Sequence, residues 1–199
     1  MRSKAEDRAL ESVRAFAQAH DPDPAHSAQV CDRSVDLFDA LANLHGLGQR
    51  ERLLLKAAAL MHDTGYDTDP MQHHKGSRDL ILDAKLDGFT RREVMMMACV
   101  ARYHRKGDPD PAHKVYRDLN EEEQSAVAKL AAILRVADGL DRSHEMSAKA
   151  LRVERRGDTV RVYVQQRAPN PIDISVGMRK SALFEKVFAV KLEIIAESL

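Results

Sequence analysis

The segment from Gln49 to Met61 constrains the fold most, because it is an apolar helix that ends in two chemically active residues. After Lys56 the segment is nearly all apolar, which predicts a central helix buried on every side. His62 and Asp63 follow at its carboxyl end, just before a glycine. An unpaired carboxylate is costly to bury. Asp63 therefore needs a cation, a cluster of hydrogen-bond donors or a metal.

Other predicted helices also end in candidate ligands. Asp23 and Pro24 form an N-cap and a first-turn proline, which place His26 in the opening turn of a helix that stops at residues 46–48. Asn120 and Glu123 form a capping box, and the helix that follows carries Asp138 at its end. The spacing of apolar residues predicts further helices over about 5–19, 74–86 and 90–105, with polar connections at 64–72 and 106–119.

Beyond about residue 149 the pattern changes from helical to alternating. Residues 151–155 and 160–164 alternate around an Arg-Gly-Asp turn, which predicts a β-hairpin. We expect another strand at Ile172–Val176, a helix near 179–189 and a closing strand at Lys191–Ile195. The predicted fold is therefore mainly α, with a helical bundle over 1–148 and a small α+β appendage over 149–199.

The residues at the predicted helix ends suit a metal. Two imidazoles and two carboxylates form a nitrogen and oxygen ligand set that suits Mn, Fe, Co, Ni or Zn, and Mg less well. A salt bridge would satisfy a single Asp, but it does not account for further His and Asp residues at other helix ends. The remaining alternative is a structural core in which these side chains pair among themselves. The set comprises His26, His62, Asp63 and Asp138.

The order of these residues resembles a known signature. His26, then Leu60-Met-His-Asp-Thr-Gly65, then Asp138 is similar to the H…HD…D pattern of the HD-domain superfamily of metal-dependent phosphohydrolases. Four stretches resemble, more narrowly, the C-terminal HD-type region of the exopolyphosphatase/guanosine-pentaphosphatase family. They are residues 73–77, 103–106, 134–144 and 183–188.

The resemblance implies an HD-type helical bundle but not the family's activity. In that family the phosphatase site lies in N-terminal actin-like domains with Gly-rich phosphate loops, which the present sequence does not contain. The resemblance therefore does not imply exopolyphosphatase activity. What the resemblance does imply is the helical fold and its metal-binding positions.

Site residues follow from the resemblance position by position. It implies His26, His62, Asp63 and Asp138 as ligands of a divalent ion, which lowers the pKa of bound water and polarises a phosphoryl oxygen. The family's usual His-His-Lys-His-Ser has a glycine, Gly76, in place of its third histidine, which favours one ion over two. In some branches of the superfamily, further histidines reach a second metal or the substrate phosphate. The resemblance places His73, His74 and His104 at these positions, and together with Asp63 they form the expected catalytic set.

Basic residues near the site are candidates for binding phosphate, because attack on phosphorus builds negative charge. Arg105 and Lys106, beside His104, are the best placed. The alternative for each basic residue taken alone is that it lies on a solvated helix face. Arg142 binds phosphate or, with Asp141, holds neighbouring helices. The full candidate set is Lys75, Arg78, Arg102, Arg105, Lys106 and Arg142.

These residues predict a phosphohydrolase that acts on a small phosphorylated compound, either a nucleotide or a phosphate ester. The alternative, from another class, is a non-catalytic nucleotide- or alarmone-binding module that serves as a sensor or a dimerising platform. The edges of the predicted strands could pair between subunits, so a homodimer is compatible with either function.

Composition limits the partners and the compartment. The chain has 31 basic and 31 acidic residues, whereas a nucleic-acid surface usually leaves a basic excess, so we expect no nucleic-acid partner. The charged amino terminus predicts no secretory signal, and no stretch approaches the roughly 18 apolar residues of a membrane span. We therefore expect a cytoplasmic protein without membrane contact. Cys31 and Cys99 are expected as buried thiols.

Overall fold

The computed structural model describes residues 4–199, as ten helices and a three-stranded sheet. The predicted class, a helical bundle with a small α+β appendage, is confirmed. The elements are α1 Lys4–His20, α2 Pro24–Ala40, α3 Ala42–His45, α4 Gln49–Met61, α5 His73–Asp83, α6 Arg91–Arg102, α7 Lys114–Arg117, α8 Glu121–Gly139, β1 Ala148–Arg156, β2 Thr159–Gln166, α9 Pro171–Arg179, α10 Ala182–Phe188 and β3 Lys191–Ser198.

Two helices form the centre of the bundle, as their apolar sequences predict. In α4 every residue from Leu53 to Leu55 is buried, and in α8 the buried run extends from Leu130 to Gly139. Both helices contact α2 and α6. The start of α8 is fixed by the predicted capping box, in which Asn120 accepts a hydrogen bond from the backbone N–H of Glu123 at 2.9 Å. The carboxyl ends of α4 and α8 therefore meet inside the protein.

The C-terminal sheet packs on the same core as the helices. Strands β1 and β2 form the predicted antiparallel hairpin, and β3 adds to β2 in parallel. Val160, Val162 and Val164 on β2 are buried and belong to one apolar cluster with Leu140, at the end of α8. A domain boundary at residues 148 and 149 stays a prediction.

The strand expected at Ile172–Val176 is wrong, because these residues lie in α9. Asn170 caps the helix by accepting from the N–H of Asp173 at 3.2 Å, and Pro171 occupies the first turn. These two signals outweigh the β-branched residues that suggested a strand. Two smaller differences are that the predicted helix over 90–105 ends at Arg102 and that the polar connection at 106–119 contains α7.

Helix α9 lies very close to α8. A Cβ added to Gly139 would lie 2.7 Å from the Cα of Gly177, so the two backbones approach at positions where only glycine fits. This contact brings the end of α9, and the side chain of Lys180 that follows it, over the end of α8. The appendage therefore contributes directly to the cavity at the helix ends.

Within residues 4–199, no helix combines the length and the apolar character needed to cross a membrane. Cys31 and Cys99 are free and buried, as expected.

Candidate metal centre

Three of the predicted ligands, His26, Asp63 and Asp138, line one cleft of about 260 Å³, and the fourth, His62, is buried directly behind it with its Nε2 atom 3.6 Å from Oδ1 of Asp63. His26 lies in the first turn of α2, His62 caps the end of α4, Asp63 follows it, and Asp138 lies in the last turn of α8. The Nε2 atom of His26 is 3.6 Å from Oδ1 of Asp138 and 4.0 Å from Oδ2 of Asp63. Elements far apart in the chain thus bring these side chains within a few ångströms of one another.

The imidazole rings are held with Nε2 facing the cleft. In His26, His62 and His104 the Nδ1 atom lies near an oxygen acceptor, respectively the Asp141 carboxylate at 2.8 Å, the Ala59 carbonyl at 2.7 Å and the Ala101 carbonyl at 2.5 Å. Each Nδ1 therefore carries a proton that it donates outward. Metal-binding histidines are oriented in this way, because the outer hydrogen bond fixes the tautomer and leaves the Nε2 lone pair for the ion.

Two buried atoms beside the cleft lack a hydrogen bond to any residue of the described chain. They are Nε2 of His62 and Oδ1 of Asp63. Oδ1 of Asp63 does lie 3.2 Å from Nε2 of His73 and 3.5 Å from Nε2 of His104, but the angles form no hydrogen bond. Buried polar atoms without partners are rare and costly, and a cation between them would satisfy both.

Two overlapping groups of side chains could hold a metal. One is His26, His62 and Asp138, and the other is His62, Asp63 and His104; within each group the ligand atoms lie within 4.8 Å of one another. His62 belongs to both groups, so its Nε2 atom is central. The mixed nitrogen and oxygen set fits the ions expected from the sequence, and the orphaned atoms show that the residues present fit such a group.

His73 and His104 form the far wall of the cleft. Their Nε2 atoms are 3.2 Å apart and their rings stack at 5.2 Å. Burial lowers the pKa of His104 to about 3 and also lowers that of His73. Both rings are therefore neutral near pH 7, and the Nε2 lone pair of His104 is available to a cation.

Asp138 is charged and already has a cation beside it. The Lys180 ammonium contacts its Oδ2 atom, whereas its Oδ1 atom faces His26. Burial would raise the pKa of Asp138, but the Lys180 charge and the contact with His26 hold it well below its usual range. An ion bound at Oδ1 would share this carboxylate with Lys180.

His26 has the opposite shift. Burial lowers its pKa, but the carboxylates of Asp138 and Asp141, together with the charge of Asp63, outweigh that effect and raise the pKa to about 10. At neutral pH the ring is therefore protonated and must release the Nε2 proton when it binds a cation. Burial raises the pKa of Asp63, but the neighbouring imidazoles of His62 and His104 outweigh burial and hold this pKa below its usual range.

Two residues outside the expected metal set hold His26 in place. Asp141 is fully buried, accepts from Nδ1 of His26 and also accepts from the N–H of Met146 at 2.7 Å. His144 stacks on the His26 ring at 4.1 Å and lies 2.7 Å from Asp23 through its Nδ1 atom. Asp141 therefore takes the positioning role that the sequence left open.

The candidate phosphate-binding residues divide between two places. Arg105 and Arg142 line the cleft with Lys180, whose contribution the sequence did not indicate. Tyr66, from the polar loop, also lines the cleft and was not predicted. Arg78 and Arg102 instead line a separate cavity. Lys75 and Lys106 are exposed, and neither lines either cavity.

His74 does not line the cleft, although it neighbours His73. It is buried, and burial lowers its pKa to about 4. Its Nδ1 atom lacks a hydrogen-bond partner among residues 4–199. Its ring meets the His73 ring edge-on at 6.1 Å, so it lies behind this wall of the cleft and not in the cleft itself.

Gly76 has a structural reason to lack a side chain. A Cβ on Gly76 would lie 3.2 Å from the Cα and the carbonyl oxygen of Gly65, in the turn after Asp63. A Cβ on Gly65 would lie 2.3 Å from the backbone nitrogen of Ser77. The Ser77 hydroxyl also accepts from the N–H of Gly65 at 2.9 Å. An imidazole at residue 76 would separate these backbones.

The fold and the site together define a helical bundle whose helix ends enclose a buried His and Asp cluster able to hold a cation. A comparison with protein families identifies the chain further, since residues 9–169 match the model described as Ppx/GppA phosphatase, domain III. The protein therefore belongs to this family. The resemblance to the C-terminal region of the exopolyphosphatase/guanosine-pentaphosphatase family is confirmed.

Proposed function

We propose that this protein is an HD-type, metal-dependent phosphohydrolase that acts on a small phosphorylated compound, either a phosphate ester or a nucleotide. The observation that carries the proposal is the pair of orphaned atoms, Nε2 of His62 and Oδ1 of Asp63, buried beside a cleft lined by Arg105, Arg142 and Lys180. Ligand atoms for a cation and donors for phosphate oxygens thus occur side by side. The family relation supports phosphate chemistry at the level of its class.

The chain's own residues supply binding and charge. His26, His62, Asp63 and Asp138 would hold a divalent ion, which supplies Lewis-acid activation of a phosphoryl oxygen and of water. Arg105 and Arg142 would bind the non-bridging phosphate oxygens through charge-assisted hydrogen bonds. Asp63, whose Oδ1 atom has no hydrogen bond in the described chain, would orient the attacking water. His73 and His104, both neutral at pH 7, would accept or relay its proton.

A non-catalytic role is a second candidate, which one specific observation favours. The Lys180 ammonium contacts Asp138, so a resident cation of the chain itself already neutralises one expected ligand. In this alternative the bundle is a nucleotide- or alarmone-binding module without turnover. A homodimer joined through the outer edges of β1 and β3 would be compatible with both functions.

Metal content and turnover, measured together, test the proposal. The full chain is loaded with Mn²⁺, bound metal is quantified, and hydrolysis of a panel of nucleotides and phosphate esters is followed. We expect Asp63→Ala to lose both metal and hydrolysis while circular dichroism shows a retained fold, because only a side chain after the helix end is removed. Asp79→Ala, on the exposed face of α5, is the matched control and should retain both.

The outcomes separate the candidates. Metal-dependent hydrolysis that Asp63→Ala abolishes supports the phosphohydrolase. Stoichiometric metal with no turnover across the panel favours the binding module. Failure of the wild-type protein to bind any divalent ion would overturn the leading proposal.

A further inference from the structure

A second cavity, of about 340 Å³, lies between α5, α6 and the segment around α7. It shares no lining residue with the metal cleft. Its floor is formed by Cys99, Tyr103, Val115 and Tyr116, and its basic side chains are Arg78, Arg102 and Lys114. None of the metal-site chemistry described above requires this cavity.

The cavity is positively charged although the whole chain is neutral. Three cationic side chains face one carboxylate, Asp79, so the lining carries a surplus of two positive charges. Asp79 is paired with Arg78 through two contacts of 2.7 Å and is 60% exposed, so water screens its charge. Arg102 lies with its guanidinium carbon 5.9 Å from the centre of the Tyr103 ring. The surplus charge therefore sits on Arg102 and Lys114.

A hydrogen-bonded pair adds a neutral donor. The Tyr103 hydroxyl lies 2.8 Å from Nδ1 of His113, and we assign the hydroxyl as the donor of this hydrogen bond. Burial and the charge of Arg102 lower the pKa of His113, which therefore stays neutral near pH 7. A neutral imidazole that accepts at Nδ1 carries its proton on Nε2. The lining thus offers N–H donors in excess of acceptors.

The floor of the cavity is apolar and aromatic. Tyr103 and Tyr116 are buried and meet edge to face at 5.8 Å. Burial raises the pKa of the Cys99 thiol to about 12, so it remains uncharged. Val115 completes the apolar wall. A ligand that fits here needs a flat apolar part in addition to an anionic group.

We propose that this cavity is a binding site for a small molecule that carries one oxyanion, of the phosphate or phosphonate type, on an aromatic ring. Arg102 and Lys114 bind the oxyanion, His113 donates from Nε2, and the ring packs against Tyr103 and Tyr116. A volume of about 340 Å³ accommodates one ring and one anionic group. The site stands on its own cavity and charge, and does not rest on the metal centre.

Phenylphosphonate is a suitable probe, because its carbon–phosphorus bond is not a hydrolysable ester. It is titrated into the ¹⁵N-labelled full chain in EDTA, and backbone amide shifts are followed by NMR. We expect saturable shifts at Ala112, Val115 and Tyr116. Benzamidine carries the same ring with a positive charge and should not bind, and inorganic phosphate alone should bind at least about tenfold more weakly because it lacks the ring.

Matched variants locate the binding. Arg102→Gln should weaken phenylphosphonate about tenfold or more, since a charge-assisted hydrogen bond is lost. Arg92→Gln removes an arginine from the exposed start of the same helix and should leave the affinity unchanged. The proposal is overturned by shifts confined to the metal cleft, by equal binding of benzamidine or inorganic phosphate, or by equal effects of the two variants. A lack of shifts at millimolar probe would overturn it as well.

Discussion

Nδ1 of His26, in the first turn of α2, lies 2.8 Å from Oδ2 of Asp141, just beyond the end of α8. Asp141 is fully buried and does not line the metal cleft itself, whereas His26 does. The contact joins two segments 115 residues apart in the chain and sets which nitrogen of His26 faces the candidate metal. Asp141 is therefore a positioning residue.

Asp141→Asn should weaken metal binding about 10- to 100-fold while the protein stays folded. The asparagine oxygen can still accept from Met146, but its amide group meets the Nδ1–H of His26 donor to donor. The ring then gives up its Nδ1 proton and keeps the proton on Nε2, the atom that should bind the ion. Calorimetry measures the affinity, and long-range ¹H–¹⁵N NMR of the imidazole reports the tautomer. Unchanged tautomer and affinity, as expected for the control Asp79→Asn, would contradict the positioning role.

Lys180→Met should tighten metal binding by about tenfold, because it removes a positive charge in contact with Asp138. The same change leaves the buried Asp138 carboxylate with the His26 contact but without its ammonium partner, which should lower the free energy of unfolding of the metal-free protein by about 3 kcal/mol. Mn²⁺ should therefore raise the melting temperature of the variant more than that of the wild type. Lys149→Met, on exposed β1, is the control. An equal effect of Mn²⁺ on wild type and variant would be inconsistent with competition at Asp138.

Much of the helical bundle could be predicted because its signals are local. Capping residues fixed the starts of α2 and α8, and the apolar run of α4 marked both its burial and the residues at its end. The expected ligands His26, His62, Asp63 and Asp138 lie together for the same reason, although metal binding by them stays a prediction. The strand expected at Ile172–Val176 was wrong, because Asn170 and Pro171 form the start of a helix at that point.

What the sequence could not show depends on contacts between distant segments. Lys180 reaches Asp138 because Gly139 and Gly177 let two helices approach, and no local pattern reveals that contact. Likewise Arg102 and Arg105 are only three residues apart, yet they line different cavities, because α6 ends at Arg102 and the chain turns there. The direction in which the chain leaves α6 therefore decides which cavity each arginine lines.

Gly65→Ala should lower the free energy of unfolding by about 1–3 kcal/mol, because its Cβ would overlap the backbone at Ser77, which cannot move aside as a flexible side chain can. The strain lies directly after Asp63, so metal affinity should fall as well. Gly48→Ala is the control, since its Cβ would meet only the mobile carboxylate of Glu51 at 3.3 Å. Urea unfolding and calorimetry compare the two. Equal stability of the two variants would argue against the tight contact.

Glu93→Gln should destabilise the protein at neutral pH and not in acid. The hydrogen bonds from Arg50, the first of them at 2.5 Å, lower the pKa of Glu93 from 4.5 to about 2. A carboxylate whose pKa is depressed on folding contributes stability above its unfolded pKa, and the contribution is lost as the pH falls from 4.5 to about 2. Because the Arg50 side chain is 43% exposed, screening limits the effect to about 1 kcal/mol. Urea unfolding at pH 7 should give Glu93→Gln a lower free energy of unfolding than the wild type, and this difference should disappear near pH 2. The control Glu11→Gln, on exposed α1, should match the wild type at both pH values. A difference that is the same at both values would mean that the ion pair between α4 and α6 contributes no stability.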